Sequence, residues 1–152
     1  MLAPDDLAQR LENDWLGKFP GSAVESGDLF AGAVAGWFVA AMAAGFPCTT
    51  AAARRPQLTA QAAGALAAGI GPTSGALLAS GVAAYYAGQV FGTGVASFPL
   101  ALPAGIALFT AALLELNLTP PDRAKQMAQG CHVLALSTLV VFPPPLVPAP
   151  IT

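Results

Sequence analysis

Charge is what this chain has least of. Only 9% of its 152 residues are charged, eight acidic and six basic, while 55% are hydrophobic. A soluble domain carries roughly a quarter charged residues, so something other than water must cover much of this surface. The net charge is −2 and no cationic cluster goes beyond Arg54-Arg55, which excludes the electrostatic footprint of a nucleic-acid-binding protein. There is one histidine, His132, and two cysteines, Cys48 and Cys131, without C-x-x-C spacing. That inventory gives neither a disulfide framework nor a metal site, and both cysteines are expected to be unpaired, buried hydrophobes. The opening Met1-Leu2-Ala3-Pro4-Asp5-Asp6 is acidic and lacks the basic and apolar regions of a secretory signal, so export by that route is not expected.

Long apolar runs are missing as well. Pro56 to Leu114 contains no Asp, Glu, Lys, Arg or His, and Leu29 to Phe46 is a second uncharged block. Both are mainly Ala and Gly, which gain little from lipid, and Pro or Gly interrupts them before the roughly 20 residues a membrane span needs. A small multi-span, holin-like membrane protein, with Arg54-Arg55 and Arg123-x-Lys125 marking cytoplasmic loops, stands as the alternative to a protein assembly.

Repetition takes their place. The run Ser26-Gly27-Asp28-Leu29-Phe30-Ala31-Gly32-Ala33-Val34-Ala35-Gly36-Trp37-Phe38 returns from Ser74 to Tyr86, 48 residues on, and both copies end in paired aromatics. A weaker echo at Met127-Ala128-Gln129-Gly130-Cys131 sets Ala128 against Ala31 and Ala79, and Cys131 against Val34 and Val82. Phe46-Pro47, Phe98-Pro99 and Phe142-Pro143 punctuate the chain in step. Self-similarity at such a period is the mark of a tandem array of supersecondary units.

Periodicity and breakers predict a mainly α fold of six helices in three tandem pairs. The first helix covers Asp5 to Leu16, with acids at the positive end of its dipole and an apolar row at Leu7, Leu11 and Trp15. The second starts at a Ser26 or Asp28 cap and runs to Ala44. The third runs from Gln57 to Ala68 after Pro56, and the fourth from Gly75 to Phe91 behind a Ser74 cap. The fifth runs from Pro103 to Leu116, and the sixth starts at Asp122 and fades into Leu136 to Phe142, a β-branched stretch that also reads as a strand. Residues 1–142 form one helical repeat domain, divided at about 1–47, 48–99 and 100–142, with extended Pro-rich links. The tail 143–152, half proline, reads as an extended arm suited to docking on a neighbouring subunit. The repeat requires Leu29, Val34, Trp37 and Phe38 to match Leu77, Val82, Tyr85 and Tyr86 in burial.

No residue pattern demands catalysis. Gly92-Thr93-Gly94 lacks the third glycine, the lysine and the preceding strand of a phosphate loop, and reads as a turn. Cys131 and His132 point about 100° apart on a helix, so they make no nucleophile–base pair. Asp5, Asp6, Glu12 and Asp14 read as solvated acids of a first helix. Gly32-x-x-x-Gly36 and Gly88-x-x-x-Gly92 are spacings that admit close helix approach. The sequence therefore assigns no catalytic, cofactor-binding or metal residue.

The phrases Leu7-Ala8-Gln9 and Met127-Ala128-Gln129-Gly130-Cys131, the Gly/Pro-rich links and the ending Val140-Val141-Phe142-Pro143-Pro144-Pro145 resemble those of small Ala/Gly/Pro-rich virion structural proteins of tailed bacteriophages, from head, neck or baseplate. The resemblance implies a non-enzymatic subunit of a phage or phage-like particle, assembled in the host cytoplasm and set among other structural subunits in a ring or symmetric array.

Overall fold

In a computed structural model, which describes residues 1–69 and 71–152, the chain is mainly helical. The helices are α1 (Pro4–Asp14), α2 (Ala23–Phe38), α3 (Arg55–Ala67), α4 (Pro72–Tyr86), α5 (Leu102–Leu114) and α6 (Pro120–Leu136). Prolines open four of them directly at the first or second position, where the missing N–H costs nothing: α3, α4, α5 and α6. Pro4 does the same for α1. Each helix packs on the next, and α6 packs back on α1, so the six close a ring.

After every second helix comes a hairpin of very short strands, where the sequence suggested extended links. These are β1 (Met42–Ala43) with β2 (Phe46–Pro47), β3 (Val90–Phe91) with β4 (Gly94–Ala96), and β5 (Leu139–Val141) with β6 (Ala149–Pro150). The first two hairpins have the same register: Met42↔Pro47 and Ala43↔Phe46 become Val90↔Val95 and Phe91↔Gly94, 48 residues later. The first turns on two residues of positive φ, Ala44 (50°) and Gly45 (84°), the second on Gly92 (61°). Positive φ at both central positions suits the right-handed twist of a hairpin.

The hairpins join into a second ring. Thr49 N–H donates to the Val90 carbonyl (2.9 Å), Ser97 N–H to Leu139 (2.7 Å) and Thr152 N–H to Met42 (2.9 Å). These are one hydrogen bond made three times, from each unit to the next. A second bond also recurs, from Cys48, Ala96 and Ile151 N–H to the carbonyls of Ala41, Gln89 and Thr138. With the Cys48↔Phe91 bridge and the β4–β5 pairing, the strands run β1-β2-β3-β4-β5-β6 and back to β1. Alternation then sorts the side chains. Ala43, Phe91 and Val140, with Cys48, Ala96 and Ile151, point in and are buried.

Beneath the strand ring sits the aromatic centre of the core. Phe38 stacks on Tyr86 (centroids 4.5 Å apart) and meets Tyr85 and Phe91 edge-on, while Trp15, Phe30 and Phe109 form a second chain of edge contacts. The expected burial match holds at three of four positions. Val34 with Val82, Trp37 with Tyr85 and Phe38 with Tyr86 are all buried, but Leu29 is half-buried where Leu77 is 46% exposed.

Several boundaries differ from the sequence expectation. Ser22, not Ser26 or Asp28, caps α2: its hydroxyl accepts from Glu25 N–H (3.1 Å), while the Glu25 carboxylate accepts from Gly21 N–H (2.9 Å), a variant of the capping box. The helices α2 and α4 stop at Phe38 and Tyr86, because Ala41 to Pro47 and Gln89 to Ala96 are taken up by hairpins. Ser74 lies inside α4, where its hydroxyl donates to the Ala65 carbonyl (2.9 Å), and Thr119 rather than Asp122 caps α6. The stretch 139–141 is strand. The tail is not an arm reaching outward: β6 pairs with β5, and Thr152 pairs with Met42, because Ile151 fills the last inward position of the chain's own ring.

The glycines that matter for helix contact are not those of the Gly-x-x-x-Gly spacings. Gly32 and Gly36 face the guanidinium groups of Arg55 and Arg10, while Gly88 and Gly92 lie outside helices. The close helix approaches are at Gly27, whose Cβ would sit 2.5 Å from Ala63 N, and Gly75, whose Cβ would sit 2.5 Å from Thr110 Cα. Both obstacles are backbone, so Gly75→Ala should lower stability by about 2–3 kcal/mol. Gly64→Ala, on α3 with open space around it, should raise stability by about 0.5–1 kcal/mol through helix propensity. Urea midpoints of the two variants measure this opposition in sign.

Candidate functional site

The arginines the sequence drew attention to, Arg54, Arg55 and Arg123, are engaged within the fold. Arg54 donates to the carbonyls of Ala84 and Ala87 at the C-terminal end of α4, and to Gln57. Arg123 does the same for α5, donating to Ala112 (2.6 Å) and Glu115 (3.1 Å). A cation at a helix C-terminus meets the negative end of the dipole and the orphan carbonyls together. Arg55 pairs with Asp28 (2.9 Å), which also accepts from Thr59 (3.3 Å), tying α2 to α3.

A buried polar knot around Gln89 is also structural. Gln89 is fully buried at the end of α4. Its side-chain nitrogen donates to the Tyr85 carbonyl (3.0 Å), and its oxygen accepts from the hydroxyl of Thr50 (2.6 Å) and the thiol of Cys48 (3.5 Å). Thr50 in turn accepts from Val90 N–H (3.0 Å), and the Tyr85 hydroxyl donates to Ala51 (2.8 Å). Every strong group in this cluster has a partner, and together they fix the first hairpin against the second.

Cys48 and Cys131 are free and buried, 83 residues apart in sequence. Burial pushes the Cys131 thiol up to about 12 and raises that of Cys48, so neither is poised as a thiolate nucleophile. His132, beside Cys131 on α6, is held below the usual imidazole range by desolvation. The hydroxyl of Tyr86, raised by burial, donates to the Cys131 carbonyl (3.3 Å). Gly92-Thr93-Gly94 spans the tip of the second hairpin and the start of β4. Asp5, Asp6, Glu12 and Asp14 lie along α1. Among the described residues no group of three or more His, Cys, Asp or Glu side chains is placed to hold a metal.

The grooves are open, and two of them are mainly apolar. One, of about 590 Å³ between α2 and α3, is lined by Val24, Ala52, Pro56, Ala60 and Ala63, with the Asp28–Arg55 pair at its edge. A second of about 530 Å³ follows α3 and α4 past Gln61 and Leu77. A smaller polar groove on α1 holds Asp6, Arg10 and Asp14.

The outer face of the strand ring is the feature that stands apart. Opposite the buried inward set, alternation turns Pro47, Val95 and Pro150 to solvent, one from each unit, together with Leu139 and Val141. Val95 and Val141 are paired across β4 and β5 and are 50% and 53% exposed. Phe46, the partner of the inward Ala43, packs against the buried Phe142 (5.6 Å), while Phe98, Leu100, Leu146 and Val147 are exposed on the loops that leave the ring. The segments that build this end, 39–53, 87–101 and 137–152, contain no Asp, Glu, Lys, Arg or His. Sequence reasoning missed the face, since strands of two or three residues are too short to display alternation, and the Phe-Pro dipeptides do not mark equivalent places: Phe46-Pro47 is β2, whereas Phe98-Pro99 and Phe142-Pro143 follow β4 and β5. Comparison with family models, curated proteins and solved structures finds no match for the chain.

The thiols report on this arrangement. In the folded chain at pH 8, iodoacetamide should leave Cys131 unmodified and label Cys48 slowly, whereas both should react at once in urea. Mass spectrometry of the alkylated chain counts them, and rapid labelling of Cys131 without denaturant would contradict its burial.

Proposed function

We propose that this chain is a non-enzymatic structural subunit of a large protein assembly, of the kind found in tailed-phage virions, held among other subunits through the outer face of its strand ring. The observation that carries this reading is the uncharged apolar face built by Pro47, Val95, Leu139, Val141 and Pro150. Exposed apolar surface of this kind marks an interaction site, and the cores of obligate interfaces are depleted in charge. An enzyme needs a pocket with convergent polar groups, whereas the polar groups beside the α2–α3 groove, Asp28, Arg55 and Thr59, are bonded to one another. No described helix is long and apolar enough to cross a membrane.

Val95→Lys with Val141→Glu tests the face. The two positions are exposed and directly opposed, so the new charges attract each other and the fold should lose less than about 1 kcal/mol. Sedimentation of the detergent-free wild type should give oligomers, and the double variant should be shifted to monomer with unchanged helical circular dichroism. Equal assembly by the variant refutes the assignment of this face. Recovery of the wild type only in the membrane fraction refutes the assembly reading itself.

A further inference from the structure

The third hairpin is tied differently from the other two. Ala43↔Phe46 and Phe91↔Gly94 each enclose two residues, but the equivalent pair Val140↔Ala149 encloses eight, Val141 to Pro148. Four of the eight are proline, and Leu146 and Val147 are exposed. Closing the hairpin does not require this length, since two residues suffice twice in the same chain. The strand it leads to is lightly held. Pro148 and Pro150 have no N–H to donate, Ile151 is the only fully buried side chain from 143 to 152, and the ring is closed through the reciprocal bonds between Thr152 and Met42 (2.9 Å each). Moving β6 out leaves all six helices and the other five strands in place.

We propose that β6 is an exchangeable strap: residues 149–152 of one copy leave their own ring and take the same place between β5 and β1 of a second copy, with Phe142 to Pro148 as the hinge. The exchanged state remakes the hydrogen bonds of residues 149–152, because the donor and the slot are identical, and gives up only the turn bond from Leu146 N–H to the Pro143 carbonyl within the hinge. What differs is the hinge and the entropy of association. A seven-residue proline-rich hinge spans about 22 Å at polyproline rise and loses less entropy on extension than a flexible one would. A vacated slot exposes unpaired backbone on β5 and β1 and a hole where Ile151 sat, so it demands an extended strand in return. This inference rests on the assembly reading and supplies a link between subunits for it.

Met42→Cys with Thr152→Cys tests the strap, since these two residues form a hydrogen-bonded antiparallel pair, close enough for a disulfide. The assembled and monomeric fractions of the double variant are oxidised separately and run on a non-reducing gel, with each single variant as control for the native cysteines. Exchange predicts a disulfide within one chain in the monomer and between chains in the assembled fraction. Two copies of different tag length should then yield a mixed cross-linked dimer. Disulfides confined within single chains in an assembled fraction overturn the strap and leave the outer-face interface standing. The absence of an assembled fraction overturns both, and failure to form either disulfide overturns the pairing on which the strap depends.

Discussion

Three backbone hydrogen bonds, from Thr49, Ser97 and Thr152 to Val90, Leu139 and Met42, decide the architecture. Each passes from the end of one hairpin to the start of the next, so the third can form only if the chain has come full circle. Closure removes the sheet edges that strands this short would otherwise leave open. It also fixes where helices enter and leave, because α2, α4 and α6 feed directly into the hairpins. The closest helix contacts follow from this placement. At Gly27 against Ala63 and Gly75 against Thr110, the second helix of one unit lies backbone to backbone on the first helix of the next, and Ala124 takes the corresponding buried position in the third.

Charge is used sparingly, and three of the arginines are taken up by contacts within the fold. Arg54 and Arg123 close the ends of α4 and α5, and Arg55 joins α3 to α2 through Asp28. Guanidinium suits such work because it offers several donors in a rigid fork. The remaining surface is left to alanine, proline and valine. That distribution separates an apolar strand-ring end from helix surfaces bearing most of the ionisable groups, and it is the physical basis for reading the ring's outer face as the contact surface.

The helical part of this fold was legible because helices of 11 to 17 residues are long enough to show apolar rows, breakers and caps. The 48-residue echo was legible for the same reason, and Ala31, Ala79 and Ala128 are all buried on corresponding helices. The hairpins were not. A strand such as Met42–Ala43 holds one inward and one outward residue, which is no pattern at all, and its Ala-rich surroundings favour extending the preceding helix. The Gly-x-x-x-Gly spacings misled because a small residue opens room without saying for what: at Gly32 and Gly36 the space is taken by Arg55 and Arg10. The Ser22-x-x-Glu25 spacing that caps α2 is present in the sequence, but only the Ser26-Gly27-Asp28 phrase was read as a cap. The candidate face depends wholly on strand alternation and so became visible only with the ring.

Closure of three like units has a consequence for how this sequence can vary. Around the core, corresponding positions carry Phe38, Tyr86 and Ala135 at the helix ends, Ala43, Phe91 and Val140 on the strands, and Ala41, Gln89 and Thr138 between them, all buried. Large residues in one or two units stand beside small ones in the rest, as interior close packing requires of a shared centre. The three units are therefore complementary rather than interchangeable. Copying a residue from one unit into its siblings would triple or empty the volume at that level, so the repeats are bound to drift in concert and cannot return to identity one position at a time.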